Sequence, residues 1–219
     1  MKKLFGFLIL GLLFSCNSNK EFDESIVNCD TVKIHDTIYI DKSIKKDWQK
    51  GFGLTHNLDK DSIWYNPVSY YISDSNCSGL AIDFYYGYLR PSDNGTTIEL
   101  LKLATTNNKK LRPFYRWCLN KTLIISDGAL AEVVGVPARQ YVEKFPDDFF
   151  EYIDIEATNE KYKMWTQAIV YSGYFDYNDY DNYNLNRKRL EEKMTKNLQI
   201  KSAENLKRVK QFAIDCTSF

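Results

Sequence analysis

Beyond Ser43 the chain is cut at short intervals by residues that start or stop helices, and this punctuation limits the folds open to it. Asn66-Pro67 pairs a capping residue with a proline suited to a first helical turn. Pro146 followed by Asp147 and Asp148 adds acids beside the positive end of a helix dipole. Thr96-Thr97-Ile98-Glu99 has the capping-box spacing, ahead of an apolar set at Leu100, Leu101, Leu103 and Ala104. The last helix is the clearest: Ser202 caps it, and Leu206, Val209, Ala213 and Cys216 recur at three- and four-residue steps while Lys207, Arg208, Lys210 and Gln211 face outward. Leu190, Met194 and Leu198 repeat the pattern one helix earlier.

Between these lie segments 112–126, 127–135, 137–145, 146–153 and 158–173, with Gly or Pro at several junctions. Short helices joined by tight turns predict a mainly α fold: a compact multi-helix domain of irregular helical hairpins over residues 43–219. No fixed-period repeat supports a solenoid. The run from Asp83 to Arg90, Asp-Phe-Tyr-Tyr-Gly-Tyr-Leu-Arg, suits a strand as well as a helix. Upstream, Val32, Ile34, Ile38 and Ile40 alternate along 31–41 as in a strand, and without a second clear strand they predict an extended N-terminal arm.

The N-terminus points to export. Lys2 and Lys3 precede eleven residues without a polar side chain, Leu4 to Phe14, far short of the roughly 20 needed to span a bilayer as a helix. Leu13-Phe14-Ser15-Cys16 resembles the lipobox of bacterial lipoproteins, and the resemblance covers only this segment. It implies that residues 1–15 are removed as a signal peptide, that Cys16 becomes the lipid-bearing first residue, and that 16–42 form the tether and arm. Asn17 is not the aspartate that retains many lipoproteins in the inner membrane, and Lys20-Glu-Phe-Asp-Glu24 is similar to acidic export tags of surface lipoproteins. The expected location is the cell envelope, at the outer membrane, facing the periplasm or the surface. The expected partners are the membrane, through the lipid, and a protein.

Removing the signal leaves 27 basic against 29 acidic residues, so nothing favours nucleic acid. Locally the charge is uneven: Glu143 to Asn186 holds ten acids against three lysines, and Arg187 to Phe219 nine basic residues against four acids. Either the two regions pack together with complementary faces, or they form a polarised surface that steers a charged partner.

With Cys16 acylated, Cys29, Cys77, Cys118 and Cys216 remain, an even number in an oxidising compartment; at least one disulfide is expected, with Cys77–Cys118 the first choice. There is no C-x-x-C, and His35 and His56 are the only histidines, so neither a metal nor a cofactor is expected. Gly51-Phe-Gly53-Leu-Thr-His56 lacks the third glycine of a phosphate loop. Asp176 to Arg187 fails the calcium-loop count, with Asp181 at the glycine position and Arg187 at the glutamate position. Asp147 and Glu151 share a helix face and are the candidate carboxylates for glycan chemistry, though acids in a first turn serve the dipole. Glu132 is a candidate buried acid for Arg112, Arg116 or Arg139.

Sixteen tyrosines complete the inventory. Tyr171, Tyr174, Phe175, Tyr177, Tyr180 and Tyr183 crowd one helix end and the acidic loop after it, where rings alternate with Asp and Asn as in protein contact surfaces. Tyr174, Asp176, Tyr177, Asp179, Tyr180 and Asp181 are accordingly the expected partner-binding residues. The favoured function is protein binding, for example by an inhibitor or immunity-type lipoprotein. The alternative is a glycan-binding or glycan-processing envelope protein using the same rings or Asp147 and Glu151.

Overall fold

A computed structural model describes Trp48, residues 62–155 and residues 158–218, all within the unit Lys42–Phe219. Cys16, Cys29, the 31–41 segment and both histidines lie outside the described residues. A two-residue antiparallel hairpin, β1 (Ser62–Ile63) and β2 (Asn66–Pro67), opens the described chain. Helices follow: α1 (Val68–Ile72), α2 (Gly79–Tyr86), α3 (Gly95–Lys102) with a 3-10 turn at Leu103–Thr105, α4 (Arg112–Ile125) and α5 (Gly128–Lys144). Then come α6 (Pro146–Asp154), α7 (Glu160–Ser172), α8 (Tyr183–Asn197) and α9 (Ala203–Asp215). The fold is mainly α, and no helix among the described residues is long and apolar enough to cross a membrane.

Several starts follow the sequence. Ser202 Oγ accepts from Asn205 N at 3.1 Å, and Pro146 with Asp147 and Asp148 opens α6. Others move: α3 is capped by Asn94, whose Oδ1 accepts from Thr97 N at 2.9 Å, so the capping-box reading falls two residues late. Asn66 and Pro67 form β2, and Pro67 is the extended residue that feeds α1. The aromatic run from Asp83 is helical because Gly87, at φ 79°, lets the chain turn left-handed, and Tyr88 N reaches back to Asp83 O at 2.8 Å.

The largest departure is α5. The sequence predicts a break before Pro137, yet one helix runs from Gly128 to Lys144 with Pro137 inside it. A proline there removes a backbone donor and crowds the preceding turn. The strain is absorbed by α7: Ser172 Oγ accepts from Gly135 N at 3.0 Å and donates to Ala131 O at 2.7 Å. Those two groups would bond directly in a regular helix, and here a hydroxyl from a neighbouring helix stands between them. Gly135 is needed for the approach, because a Cβ would collide with Ala168 O, Ser172 Oγ and Gly173 N.

Helix α5 therefore sits at the centre, packed most extensively on α7 and also on α3, α4, α6 and α8. Two ring clusters fill the core: Tyr71, Tyr85, Phe114 and Trp117 pack together, as do Phe149, Trp165, Tyr141 and Phe212. Trp165 is fully buried and finds its polar partner in Asn120, with Nε1 to Oδ1 at 2.9 Å. In α9 the buried stripe is Val209, Phe212 and Ala213, followed by Cys216; Leu206 is partly exposed.

The expected Cys77–Cys118 disulfide is not formed: Cys77, Cys118 and Cys216 are free thiols. Cys118 and Cys216 are fully buried among apolar side chains, which pushes both pKa values up. Burial likewise moves the Cys77 thiol to about 11, so all three behave as small apolar residues.

Replacing Gly135 by Ala should cost about 1–3 kcal/mol by forcing α5 and α7 apart. Ser172→Ala should cost about 1–3 kcal/mol by stranding two backbone groups. Because both changes act on one contact, urea denaturation of the double variant should show a loss smaller than the sum; additive losses would mean that the crossing is not a unit.

Candidate functional site

The loop expected to bind a partner, residues 173–182, is built outward from the crossing of α5 and α7. Arg139, on α5 one turn beyond Gly135, is only 1% exposed. Its Nε donates to Gly173 O at 2.6 Å, Nη1 to Glu143 Oε1 at 2.6 Å and to the Tyr177 hydroxyl, and Nη2 to Asp176 Oδ2 at 2.6 Å. One guanidinium thus fixes the first turn of the loop through a carbonyl, a phenol and one carboxylate while pairing with Glu143 on its own helix, the multi-donor role to which arginine is suited.

Helix α8 closes the far side. Lys193 Nζ donates to Tyr177 Oη at 2.8 Å and to Glu143 Oε2 at 3.1 Å. Arg189 Nη1 meets Asp179 Oδ1 at 2.6 Å, and its guanidinium lies over the Tyr177 ring at 4.9 Å. Arg139, Arg189 and Lys193 face Glu143, Asp176 and Asp179, so the charges in the node balance. The uneven charge of the two sequence regions resolves here as complementary packing.

Burial works against the Lys193 ammonium, but the hydrogen bond to Tyr177 and the charge of Glu143 outweigh it and hold its pKa above the usual lysine value. The Arg189 hydrogen bond holds Asp179 below the usual carboxylate range. Burial raises the Tyr174 pKa.

The expected contact residues therefore divide. Tyr174 is buried, with its hydroxyl 3.3 Å from Cys216 O, and has no surface to offer. Asp176, Tyr177 and Asp179 are bound into the node. Tyr180 and Asp181 are exposed. Two rings not among those six, Tyr171 and Phe175, join Tyr180 in an outward cluster. Phe175 meets Tyr180 edge-on with centroids 5.8 Å apart, and Tyr171 lies 6.4 Å from Phe175. Each of the three is about half exposed, at 51–53%. The loop end is pinned by fully buried Asn186, whose Nδ2 donates to Tyr180 O at 2.7 Å, and Asn182 caps α8 through Leu185 N at 3.1 Å. Tyr171 in the last turn of α7 and Phe175 just beyond it belong to the crowd of rings that the sequence shows from Tyr171 to Tyr183.

The other candidates are dispersed. Asp147 Oδ2 accepts from Gln199 N at 2.9 Å, tying α6 to the start of the α8–α9 loop, while Glu151 is exposed. Glu132 is exposed, so it is not the buried partner of an arginine; Glu143 fills that role for Arg139 and Asp148 for Arg112. Among the described residues no group of His, Cys, Asp and Glu is arranged to hold a metal ion.

Arg139→Ala should destabilise the fold by about 3–5 kcal/mol, because Glu143 is left as a buried charge without its main partner. Asp179→Asn, at an exposed pair, should leave the urea midpoint nearly unchanged. With the Lys193 pKa raised, the node's contribution should be full below the ordinary lysine pKa of about 10.4 and be lost at higher pH as Lys193 gives up its proton, while protonation of Asp179 in acid should matter as little as Asp179→Asn. A urea midpoint followed against pH for wild type and Arg139→Ala checks both statements. Comparison with protein-family models, curated proteins and solved structures finds no match to this chain, and the chemistry of the site rests on its own geometry.

Proposed function

We propose that this chain is a lipoprotein of the bacterial cell envelope, anchored through Cys16, that acts by binding a protein partner in the manner of an inhibitor or immunity protein. The observation that carries the reading is the outward cluster of Tyr171, Phe175 and Tyr180 on a loop held rigid by Arg139. Exposed rings already fixed in place lose little entropy on binding and supply large contact areas, the usual properties of interface anchors. Asp181 adds an exposed carboxylate beside them, and with Asp176 and Asp179 neutralised by arginines the attraction to a basic partner is modest. A second reading is favoured by the same cluster: tyrosine and phenylalanine faces beside Asn178 and Asp181 also suit stacking on a sugar ring.

Affinity capture from envelope extracts should yield a protein whose complex weakens about thirtyfold in each of Phe175→Ala and Tyr180→Ala, mainly through faster dissociation. Asp181→Lys should slow association only a few-fold, an effect lost at high salt. A partner indifferent to both ring substitutions places the interface elsewhere, and saturable binding of soluble cell-wall glycan fragments that both abolish favours the sugar reading.

Wild-type protein should partition with membranes, and Cys16→Ala should be released or remain unprocessed. Mass spectrometry showing an unlipidated N-terminus at another residue would overturn the anchoring.

A further inference from the structure

On α4, far along the chain from the ring-bearing loop, Arg116 is 3% exposed and has no ion-pair partner among the described residues. Its neighbour Arg112 takes the carboxylate of Asp148, with Nε 2.7 Å from Oδ2, although that N–H does not point squarely at the oxygen. Asp148 gives Arg116 only its backbone carbonyl, 3.3 Å from Nη1, and the Tyr141 hydroxyl accepts from the same nitrogen at 3.2 Å. Nε has no hydrogen-bond partner although it is buried, and no bond is made by Nη2. A guanidinium stays charged at any relevant pH, and burying one without an anion is costly.

What surrounds the charge is aromatic. The Trp64 ring lies 4.3 Å and the Tyr152 ring 4.1 Å from Cζ. With Ser62, Ile63, Tyr65, Pro113, Trp117 and Ile155 these residues line a cavity of about 260 Å³. Trp64 is held there by an unusual turn: it and Tyr65 take φ 52° and 67°, the form that two-residue hairpins normally reserve for Asn-Gly. Each bulky residue so placed costs roughly 1–2 kcal/mol. The turn is secured by Tyr71 Oη donating to Ile63 O at 2.7 Å and Asn66 Nδ2 to Trp64 O at 3.1 Å.

We propose that this cavity is a binding site for a small monoanion, a carboxylate with a flat apolar body. Nε is fully enclosed, so the donor that a ligand can reach is Nη2, which makes no hydrogen bond and is not among the enclosed atoms; it offers a carboxylate oxygen one charge-assisted bond. One cation in a lining whose other members are aromatic, aliphatic or hydroxyl side chains suits one negative charge better than a phosphate dianion, and the rings provide stacking faces for the body.

Calorimetric titration of the full chain with phenylacetate, phenylacetamide and phenyl phosphate tests this. Phenylacetate should bind saturably, and phenylacetamide, which keeps the ring and loses the charge, at least about tenfold more weakly. Phenyl phosphate should also bind more weakly than phenylacetate. Arg116→Gln, which removes the charge, should weaken phenylacetate by at least about tenfold, whereas Tyr180→Ala should leave it unchanged. Absence of phenylacetate binding, equal affinity for the amide, tighter binding of the phosphate, or an undiminished Arg116→Gln variant would each overturn the assignment. Should Arg116→Gln fail to fold, the three ligands on the wild-type chain decide it alone.

Discussion

A hydroxyl inserted into a helix is the contact on which the rest of this structure depends. Ser172 occupies the gap between Ala131 O and Gly135 N in α5, which lets that helix carry Pro137 without ending. Since the approach tolerates no Cβ at Gly135, it also sets how closely α7 can lie. The residue after α7 is Gly173, whose carbonyl receives Arg139, so the same crossing fixes where the loop begins. Helix register, loop geometry and the direction of the exposed rings are thus one linked decision rather than three.

The charges around Arg139 divide by solvent access. Arg139 and Glu143 are nearly dry and held by several hydrogen bonds each, so removing one partner strands the other in a low dielectric. Arg189 and Asp179 share a short contact, yet both side chains are partly open to water, and their attraction is largely screened. The first pair specifies the loop's position; the second trims its edge. This distinction also reduces the acidic character that the sequence assigns to the region: the carboxylates most prominent in the primary structure are those already spoken for.

Much of the helical architecture was readable from local rules, because caps and apolar spacing act within a few residues. Ser202 and Pro146 are cases where a short-range signal meets no competitor. Pro137 is the opposite case: its local effect is overridden by a partner thirty-five residues away, which no window along the chain contains. The candidate site was half legible for the same reason. Alternating Tyr and Asp drew attention to the loop, but which side chains turn inward is set by Arg139 on α5, and Tyr177 and Tyr180 are indistinguishable until that helix is in place. Arg116 stood out in the sequence only as one of three candidate partners for a buried acid. A buried guanidinium with an idle edge is a property of what surrounds it, and Trp64 reaches it only through a turn that sequence preference argues against.

That turn also carries a consequence for motion. Hairpin β1–β2 has two residues per strand, and its conformational strain lowers the free energy needed to open it locally without touching the α5–α7 core. The hairpin amides belong at the fast end of the hydrogen-exchange scale, with those of α5 at the slow end. Local opening of a wall built on so shallow an energy well would carry Trp64 off the face of the Arg116 guanidinium.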